Sequence, residues 1–204
     1  MYKNPIIVFE GIEGSGKSLH INNVSNYLKK KKRKFIKIRE PGGSLNSEKI
    51  RKLILNNDSN FNSITDLLLY FASRSENIDK IIKKNYGKKI ILIDRFIDST
   101  IAYQHYGMGV NIKFIKTINN FLLNGIKINF TFLNIVNQKN MKKRLFERKK
   151  LNRYDQFKDF FYKKVQKGFI KIFKKNPNKY MIIDSNLDIV DNKNIILNKI
   201  KDLI

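Results

Sequence analysis

Near its N-terminus the chain reads Gly11-Ile12-Glu13-Gly14-Ser15-Gly16-Lys17-Ser18, which fits the pattern G-x-x-x-x-G-K-[S/T] at every fixed position. A short apolar segment, 5–10, precedes this stretch, and a segment with helical character, 19–32, follows it. The glycines allow the main chain to turn so that successive amide N–H groups point at one anion, and the start of the helix directs its dipole to the same point. The stretch therefore predicts a loop that binds a polyphosphate, with Lys17 as a mobile positive charge and Ser18 as a hydroxyl ligand for Mg²⁺.

The composition predicts one domain, residues 1–204, with a core large enough to enclose a cleft, because 42% of the 204 residues are hydrophobic. No apolar run approaches the length of a membrane span, and Glu10 interrupts the first apolar segment before a signal-peptide core could form. We therefore expect a cytoplasmic protein without membrane contact. The absence of cysteine excludes disulfides, thiolate metal sites and cysteine nucleophiles, and two histidines argue against a histidine-built metal centre.

The formal net charge is +25, which raises the question of a nucleic-acid partner. However, the lysines are spread along the whole chain together with many asparagines and isoleucines, and 29–34 is the only dense basic run. This mixture of residues suggests an A+T-rich coding sequence. We therefore expect a solvated basic surface and no dedicated nucleic-acid site.

Apolar segments alternate with helical patterns along the chain. The expected strands are 5–10, 35–39, 88–94, 128–133 and 179–184. The expected helices are 19–32, 47–56, 62–84, 99–106, 111–123, 137–148, 157–175 and 189–204. This alternation predicts an α/β fold of three layers, in which helices cover both faces of a five-stranded parallel sheet. Sheets of this kind bind ligands at the carboxyl ends of their strands.

Two pairs of polar residues are candidates for ligand contacts. Asp94 and Arg95 end the most apolar strand, where a carboxylate can hold Mg²⁺ and a guanidinium can bind a phosphate. The alternative is an ion pair at the end of a strand. Tyr70 and Arg74 are four residues apart on one helix face, which suits either a planar ring or ordinary core packing.

A third candidate is the basic segment that contains Arg144, Arg148 and Arg153. It spans the end of an expected helix and the charged connection after it, so we expect a mobile lid at about 144–156. Arginines on such a lid can close over a transferring phosphate and neutralise the charge that develops there. A solvated basic helix is the alternative.

Taken together, these segments resemble the bacterial thymidylate kinases, which are nucleoside monophosphate kinases of the P-loop NTPase class. The matching segments are 9–18, 39–44, 68–74 and 94–104. They occur in the family's order and with similar spacing, and the resemblance covers essentially the whole chain. The turn Arg39-Glu40-Pro41-Gly42-Gly43 and the segment 94–104 are specific to this family, whereas the phosphate-binding loop is shared by many others.

The resemblance implies a reaction and a set of ligands. The γ-phosphoryl group of ATP would pass to dTMP, giving ADP and dTDP, with Mg²⁺ required. The loop 11–18 would hold the phosphates of ATP, and Ser18 and Asp94 would serve the magnesium ion. The family is usually dimeric, so a homodimer is expected.

The resemblance also implies roles for residues of the acceptor site. Glu13 would accept a hydrogen bond from the sugar 3′-hydroxyl, Tyr70 would stack on thymine, and Arg74 would bond to a thymine carbonyl. Arg95 would hold the acceptor phosphate with help from Arg39. The base and sugar pocket would be lined by Ser99, Tyr103 and Gln104.

The lid departs from the family pattern. The family commonly has Arg-Gly-Glu-Leu-Asp-Arg-Ile-Glu, whereas this chain has Arg148-Lys149-Lys150-Leu151-Asn152-Arg153-Tyr154-Asp155. Both arginines are present, so Arg148 is the candidate catalytic lid arginine and Arg153 its partner. The missing glycine and acidic residue leave the closed shape of the lid and its adenine contacts open.

Three other functions remain as alternatives. One is a kinase of the same fold that acts on dUMP, dCMP or a deoxynucleoside. Another is a GTP-binding switch or RNA-dependent ATPase, although the guanine-binding Asn-Lys-x-Asp motif is missing, since Ile195 stands where its aspartate would be. The third is a nucleic-acid-binding protein that has lost catalysis.

Overall fold

The computed structural model describes residues 3–148 and 150–204, and a sheet of five parallel strands lies at its centre. The strands are β1 (Ile6–Glu10), β2 (Phe35–Arg39), β3 (Ile90–Asp94), β4 (Phe130–Ile135) and β5 (Tyr180–Asp184). Their order is β2-β3-β1-β4-β5, and every neighbouring pair is parallel. This arrangement confirms the expected α/β fold and brings all five carboxyl ends to one edge of the sheet.

Helices connect the strands and cover the sheet. They are α1 (Lys17–Lys30), α2 (Leu45–Leu55), α3 (Ser63–Asn77), α4 (Lys83–Asn85), α5 (Ile97–Thr100), α6 (Ile112–Leu123), α7 (Gln138–Phe146), α8 (Asp159–Lys175) and α9 (Ile189–Leu203). No helix in the described ranges is long and apolar enough to span a bilayer.

The bounds of several expected helices shift by one or two residues, and two of the helices also contain π-helical turns. The expected helix 62–84 is divided, because a π-helical turn at Ile78–Ile82 separates α3 from α4. The expected helix 99–106 begins two residues earlier, at Ile97, and becomes π-helical over Ile101–Gly107. A π-helical turn changes the spacing of side chains from the 3.6-residue period, so a pattern search for that period does not reveal it.

Alternate residues of β1 face two separate cores, as the two-residue period of a strand requires. Ile7 and Phe9 pack in a cluster with residues of α1 and α9. Ile6 and Val8 pack on the other face, in a cluster that includes Ile82. Because both faces are covered, β1 is buried along its whole length, and this burial fixes the position of the loop that follows it.

The turn after β1 depends on glycine because the main chain passes very close to β4. Gly11 has φ +139°, and a Cβ atom built on it would lie 2.3 Å from the carbonyl oxygen of Asn134. Gly14 and Gly16 also have positive φ angles, of +68° and +81°. An L-residue at position 11 would therefore be strained by its backbone angle and would also collide with a rigid main-chain atom.

We expect Gly11→Ala to lower the free energy of unfolding by more than about 2 kcal/mol, because strain and collision add. Gly87→Ala is the matched control: φ is +71° there, but no atom lies within 4 Å of the added Cβ. The control should lose only about 1 kcal/mol. Urea denaturation of both variants measures the difference, and equal losses would show that the close approach to Asn134 does not matter.

Candidate active site

A cleft of about 200 Å³ opens at the carboxyl edge of the sheet, beside the phosphate-binding loop. Its wall is formed by the loop and the start of α1, the ends of β2 and β3, α2, α3, the segment after β3 and the lid. The predicted site residues that line it are Glu13, Lys17, Ser18, Arg39, Tyr70, Arg74, Asp94, Arg95, Ser99, Tyr103, Gln104 and Arg148. Gly14, Ser15 and Gly16 line an adjoining depression at the mouth of the loop, together with Lys17, Ser18, Arg144 and Arg148. The fold thus brings together most of the side chains that the sequence suggested.

Lys17 is folded back onto its own loop. Its Nζ donates hydrogen bonds to the carbonyl oxygens of Gly11 (2.9 Å) and Ile12 (2.8 Å) and to Oγ of Ser15 (3.2 Å). Burial, assisted by the nearby charge of Arg95, lowers the pKa of Lys17 to about 7. A polyphosphate in the loop would add negative charge beside the amine and favour its protonated form.

Ser18 and Asp94 meet across the junction of α1 and β3. The Ser18 hydroxyl donates to Oδ2 of Asp94 at 2.9 Å. Hydroxyl and carboxylate oxygens are hard donors of the kind that Mg²⁺ prefers, and Mg²⁺ usually takes few protein ligands and completes its shell with water and phosphate oxygens. The two side chains therefore fit a magnesium ion bound next to the loop.

Arg95 lies at the centre of the cleft and is held by the loop. Its guanidinium forms a 2.7 Å ion pair with Glu13 and donates to the Gly11 carbonyl oxygen at 2.7 Å. Nη1 also lies 3.4 Å from Oγ of Ser99 and 3.3 Å from the Tyr103 hydroxyl. Burial raises the pKa of Tyr103, so its phenol stays protonated and donates to Glu13. The guanidinium of Arg95 is thus surrounded by polar groups that fix its orientation through hydrogen bonds.

Arg74 forms most of its hydrogen bonds with other groups of the protein. It is 1% exposed and donates hydrogen bonds to Oε2 of Glu40, Oδ1 of Asn119, the carbonyl oxygen of Phe96 and Oγ1 of Thr100. A guanidinium has five N–H groups, so at most one remains for a ligand. The spacing of Tyr70 and Arg74 left a contact with a planar ring and ordinary core packing open, and most hydrogen bonds of Arg74 join α3 to its neighbours.

Tyr70 and Gln104 lie near each other at the end of the cleft closest to Tyr154. The ring of Tyr70 meets that of Tyr154 edge-on, with centroids 5.9 Å apart. Gln104 is buried, and its Nε2 lies 3.3 Å from the Tyr154 hydroxyl. Arg39, by contrast, is largely exposed and pairs with Glu48 at 3.1 Å.

The arginines of the expected lid have different surroundings. Arg148 is 40% exposed at its side chain, pairs with Asp155 at 2.6 Å, and lines both the cleft and the loop mouth. Arg153 pairs with the buried carboxylate of Asp66 and does not belong to the lining of the cleft. Of these two arginines, Arg148 is therefore the one that faces the phosphate-binding loop.

Arg144 is a third arginine at the loop. It donates to the carbonyl oxygens of Gly14 (2.9 Å) and Ser185 (2.6 Å), so it ties α7 to the loop and to the segment after β5. Lys149, which lies between the helix end and the rest of the lid, is outside the described residues.

The sequence interpretation missed several residues that line the cleft, including Arg51 and Tyr154. Arg51 lines the cleft and donates to the carbonyl oxygen of Pro41 at 2.6 Å. Tyr154 lines the cleft, and both it and Arg153 donate to Asp66. The one available signal was the tyrosine at position 154, where the family pattern has isoleucine, because a new hydroxyl in an apolar position needs a partner.

Comparisons with known proteins agree with this geometry. The sequence model described as "Thymidylate kinase" matches residues 9–196. A thymidylate kinase of a Sulfurihydrogenibium strain is 39% identical over 197 residues, which is 96% of each chain. A thymidylate kinase of Staphylococcus epidermidis is 38% identical over 182 residues, or 88% of this chain and 89% of the relative.

A solved structure of the same family is similar in fold over nearly the whole chain. The crystal structure of thymidylate kinase from Ehrlichia chaffeensis superposes with a TM-score of 0.78 at 32% identity, covering 97% of this chain and 98% of that one. The resemblance found in the sequence motifs is thus confirmed over nearly the full length. The chain belongs to the thymidylate kinase family, whose reaction, the phosphorylation of dTMP to dTDP, is its activity.

Proposed function

We propose that ATP and dTMP bind end to end in the cleft, ATP over the loop 11–18 and dTMP between Arg95 and Tyr70. The observation that carries this proposal is that one cavity is lined by Lys17, Arg95 and Tyr70. These side chains supply a phosphate-binding cation, a second cation and an aromatic ring. A nucleoside monophosphate that enters beside the loop would therefore meet a partner for its phosphate and one for its base.

On the donor side, the loop amides and Lys17 bind the phosphates of ATP. Ser18 and Asp94 hold a magnesium ion there, which would neutralise phosphate charge when bound. The 2.9 Å contact between these two side chains supports this assignment. Binding of the nucleotide requires Lys17 to exchange its hydrogen bonds with the loop for bonds to phosphate oxygens.

On the acceptor side, Arg95 binds the phosphate of dTMP and Glu13 accepts from the sugar 3′-hydroxyl. Tyr70 stacks on thymine, while Ser99, Tyr103 and Gln104 line the pocket for the base and sugar. Arg39 assists at the phosphate after leaving its exposed pair with Glu48. The last free N–H of Arg74 bonds to a thymine carbonyl.

The reaction needs alignment and charge neutralisation more than proton transfer, because a phosphate oxygen of dTMP is already a competent nucleophile at neutral pH. The protein therefore requires no general base. Arg148 and Arg153 belong to a lid at about 144–156 within a single kinase domain. Arg148 supplies transition-state charge after exchanging Asp155 for the transferring phosphate, and Arg153 anchors the lid on Asp66.

We expect the purified protein to form ADP from ATP with dTMP as the preferred acceptor. The ratio kcat/KM for dTMP should exceed that for dUMP by about tenfold or more, since the two differ by one buried methyl group. A coupled assay of ADP release across dTMP, dUMP, dCMP and thymidine makes the comparison. Faster turnover of another acceptor would contradict the proposed base pocket, and binding of duplex DNA without turnover would contradict the kinase assignment.

We expect Arg148→Ala to lower kcat about 10²–10³-fold with little change in the KM for dTMP, because the lost charge acts mainly in the transition state. Lys150→Ala is the matched control, since Lys150 is an exposed cation of the same lid. Its kcat should stay within twofold of wild type, roughly the scatter of surface substitutions. Wild-type kcat in Arg148→Ala at saturating dTMP would show that another residue supplies the charge.

We further propose that the protein forms a homodimer through α3 and α6. Ile64 and Leu68 on α3 are 45% and 48% exposed, and Phe114 and Phe121 on α6 are 41% and 80% exposed. Large apolar side chains grouped on adjacent helices are typical of a contact surface. A twofold axis would bury the same patch on both copies.

We also propose a cytoplasmic location, because ATP and dTMP are cytoplasmic metabolites.

We expect Phe121→Asp to convert the dimer to a monomer, because it would bury an unpaired charge at the contact. Phe146→Asp is the matched control: Phe146 is 92% exposed but lies on α7. Sedimentation velocity at several concentrations distinguishes the two states. A monomeric wild-type protein, or dissociation caused equally by both variants, would contradict the proposed surface.

A further inference from the structure

Arg95 has a backbone conformation that needs support. Its φ angle is +64°, in the left-handed region, which costs a residue other than glycine about 1–2 kcal/mol. Two hydrogen bonds to the end of β1 maintain it. The amide of Arg95 donates to the carbonyl oxygen of Phe9 at 3.0 Å, and the amide of Phe96 donates to Oε1 of Glu10 at 2.8 Å.

Glu10 is the last residue of β1, and its carboxylate is almost completely buried, with 1% of the residue exposed. Besides the Phe96 amide, it accepts from the amide of Ser99 at 3.2 Å and, through Oε2, from the Ser99 hydroxyl. All three donors belong to the segment that begins directly after Arg95. A buried carboxylate that satisfies three donors is costly to replace, because any neutral substitute leaves a donor unpaired.

The Ser99 hydroxyl links the carboxylate to the guanidinium. Its Oγ donates to Glu10 and lies 3.4 Å from Nη1 of Arg95. Glu10 therefore supports Arg95 in two ways. It fixes the backbone through the Phe96 amide, and it fixes the guanidinium through the Ser99 hydroxyl. Glu13 and the Gly11 carbonyl oxygen hold the guanidinium from the opposite side.

We infer that Glu10 is a positioning residue for the acceptor phosphate: it fixes the backbone turn and the guanidinium direction of Arg95 without touching substrate. The inference rests on the proposed contact between Arg95 and the phosphate of dTMP. Glu10 belongs to the strand that leads into the phosphate-binding loop. It therefore fixes the position of Arg95, the cation for the acceptor phosphate, relative to the loop that binds ATP.

The test uses Glu10→Gln, which keeps the size of the side chain but can no longer accept from all three donors. We expect the KM for dTMP to rise about tenfold while the KM for ATP stays within twofold, since only the acceptor cation is displaced. Asp184→Asn is the matched control: Asp184 also ends a strand, β5, but its carboxylate accepts from the amide and side chain of Asn186 and not from the segment after Arg95. Its KM for dTMP should stay within twofold of wild type.

A double-mutant cycle with Arg95→Ala separates the inference from the function on which it rests. We expect Arg95→Ala to raise the KM for dTMP strongly, and Glu10→Gln to add less than a twofold change in that background. An equal effect of Glu10→Gln in both backgrounds, or an equal rise in the KM for ATP, would overturn the inference alone. An unchanged KM for dTMP in Arg95→Ala would overturn the proposed role of Arg95 and the inference with it. If Glu10→Gln does not fold, Glu10→Asp, which keeps the carboxylate but shortens its reach to the three donors, takes its place in the same cycle, with the same criteria.

Discussion

The parallel pairing of β1 with β3, in a register that sets Phe9 opposite Asp94, is the constraint on which the site depends. Both strands are buried, so neither can slide without moving side chains from one core to the other. Continued by one residue, the register sets Glu10, the last residue of β1, level with Arg95, the first residue after β3. The loop that follows β1 and the Asp94-Arg95 pair that ends β3 therefore meet without any long connection, and the remaining parts of the site are arranged around this junction.

Each cation of the site has a protein partner in this structure. Lys17 bonds to loop oxygens, Arg95 pairs with Glu13, and Arg148 pairs with Asp155. These partners satisfy buried donors that would otherwise be costly to leave unpaired. Under the proposed function, ligand binding would exchange each of these acceptors for a phosphate oxygen.

The sequence predicted the strands, the loop and most residues of the cleft, because these depend on local patterns: apolar runs, glycine spacing and residues at strand ends. It could not predict how Arg74 is used, since its partners Glu40 and Asn119 are 34 and 45 positions away in the chain. The pairing of Arg153 with Asp66, 87 positions apart, was hidden for the same reason. The π-helical segment Ile101–Gly107 was missed because its side-chain spacing is not the one that a helical pattern search assumes.

The hydrogen bonds of Lys17 to its own loop affect how well a small anion could compete with a nucleotide for the loop. A single orthophosphate ion that enters the loop must replace the contacts of the amine with Gly11, Ile12 and Ser15, and it offers only one small anion in return. A chain of linked phosphates can satisfy the amine and the main-chain amides at the same time. Under the proposed function, the loop would therefore favour a chain of linked phosphates over a single phosphate ion.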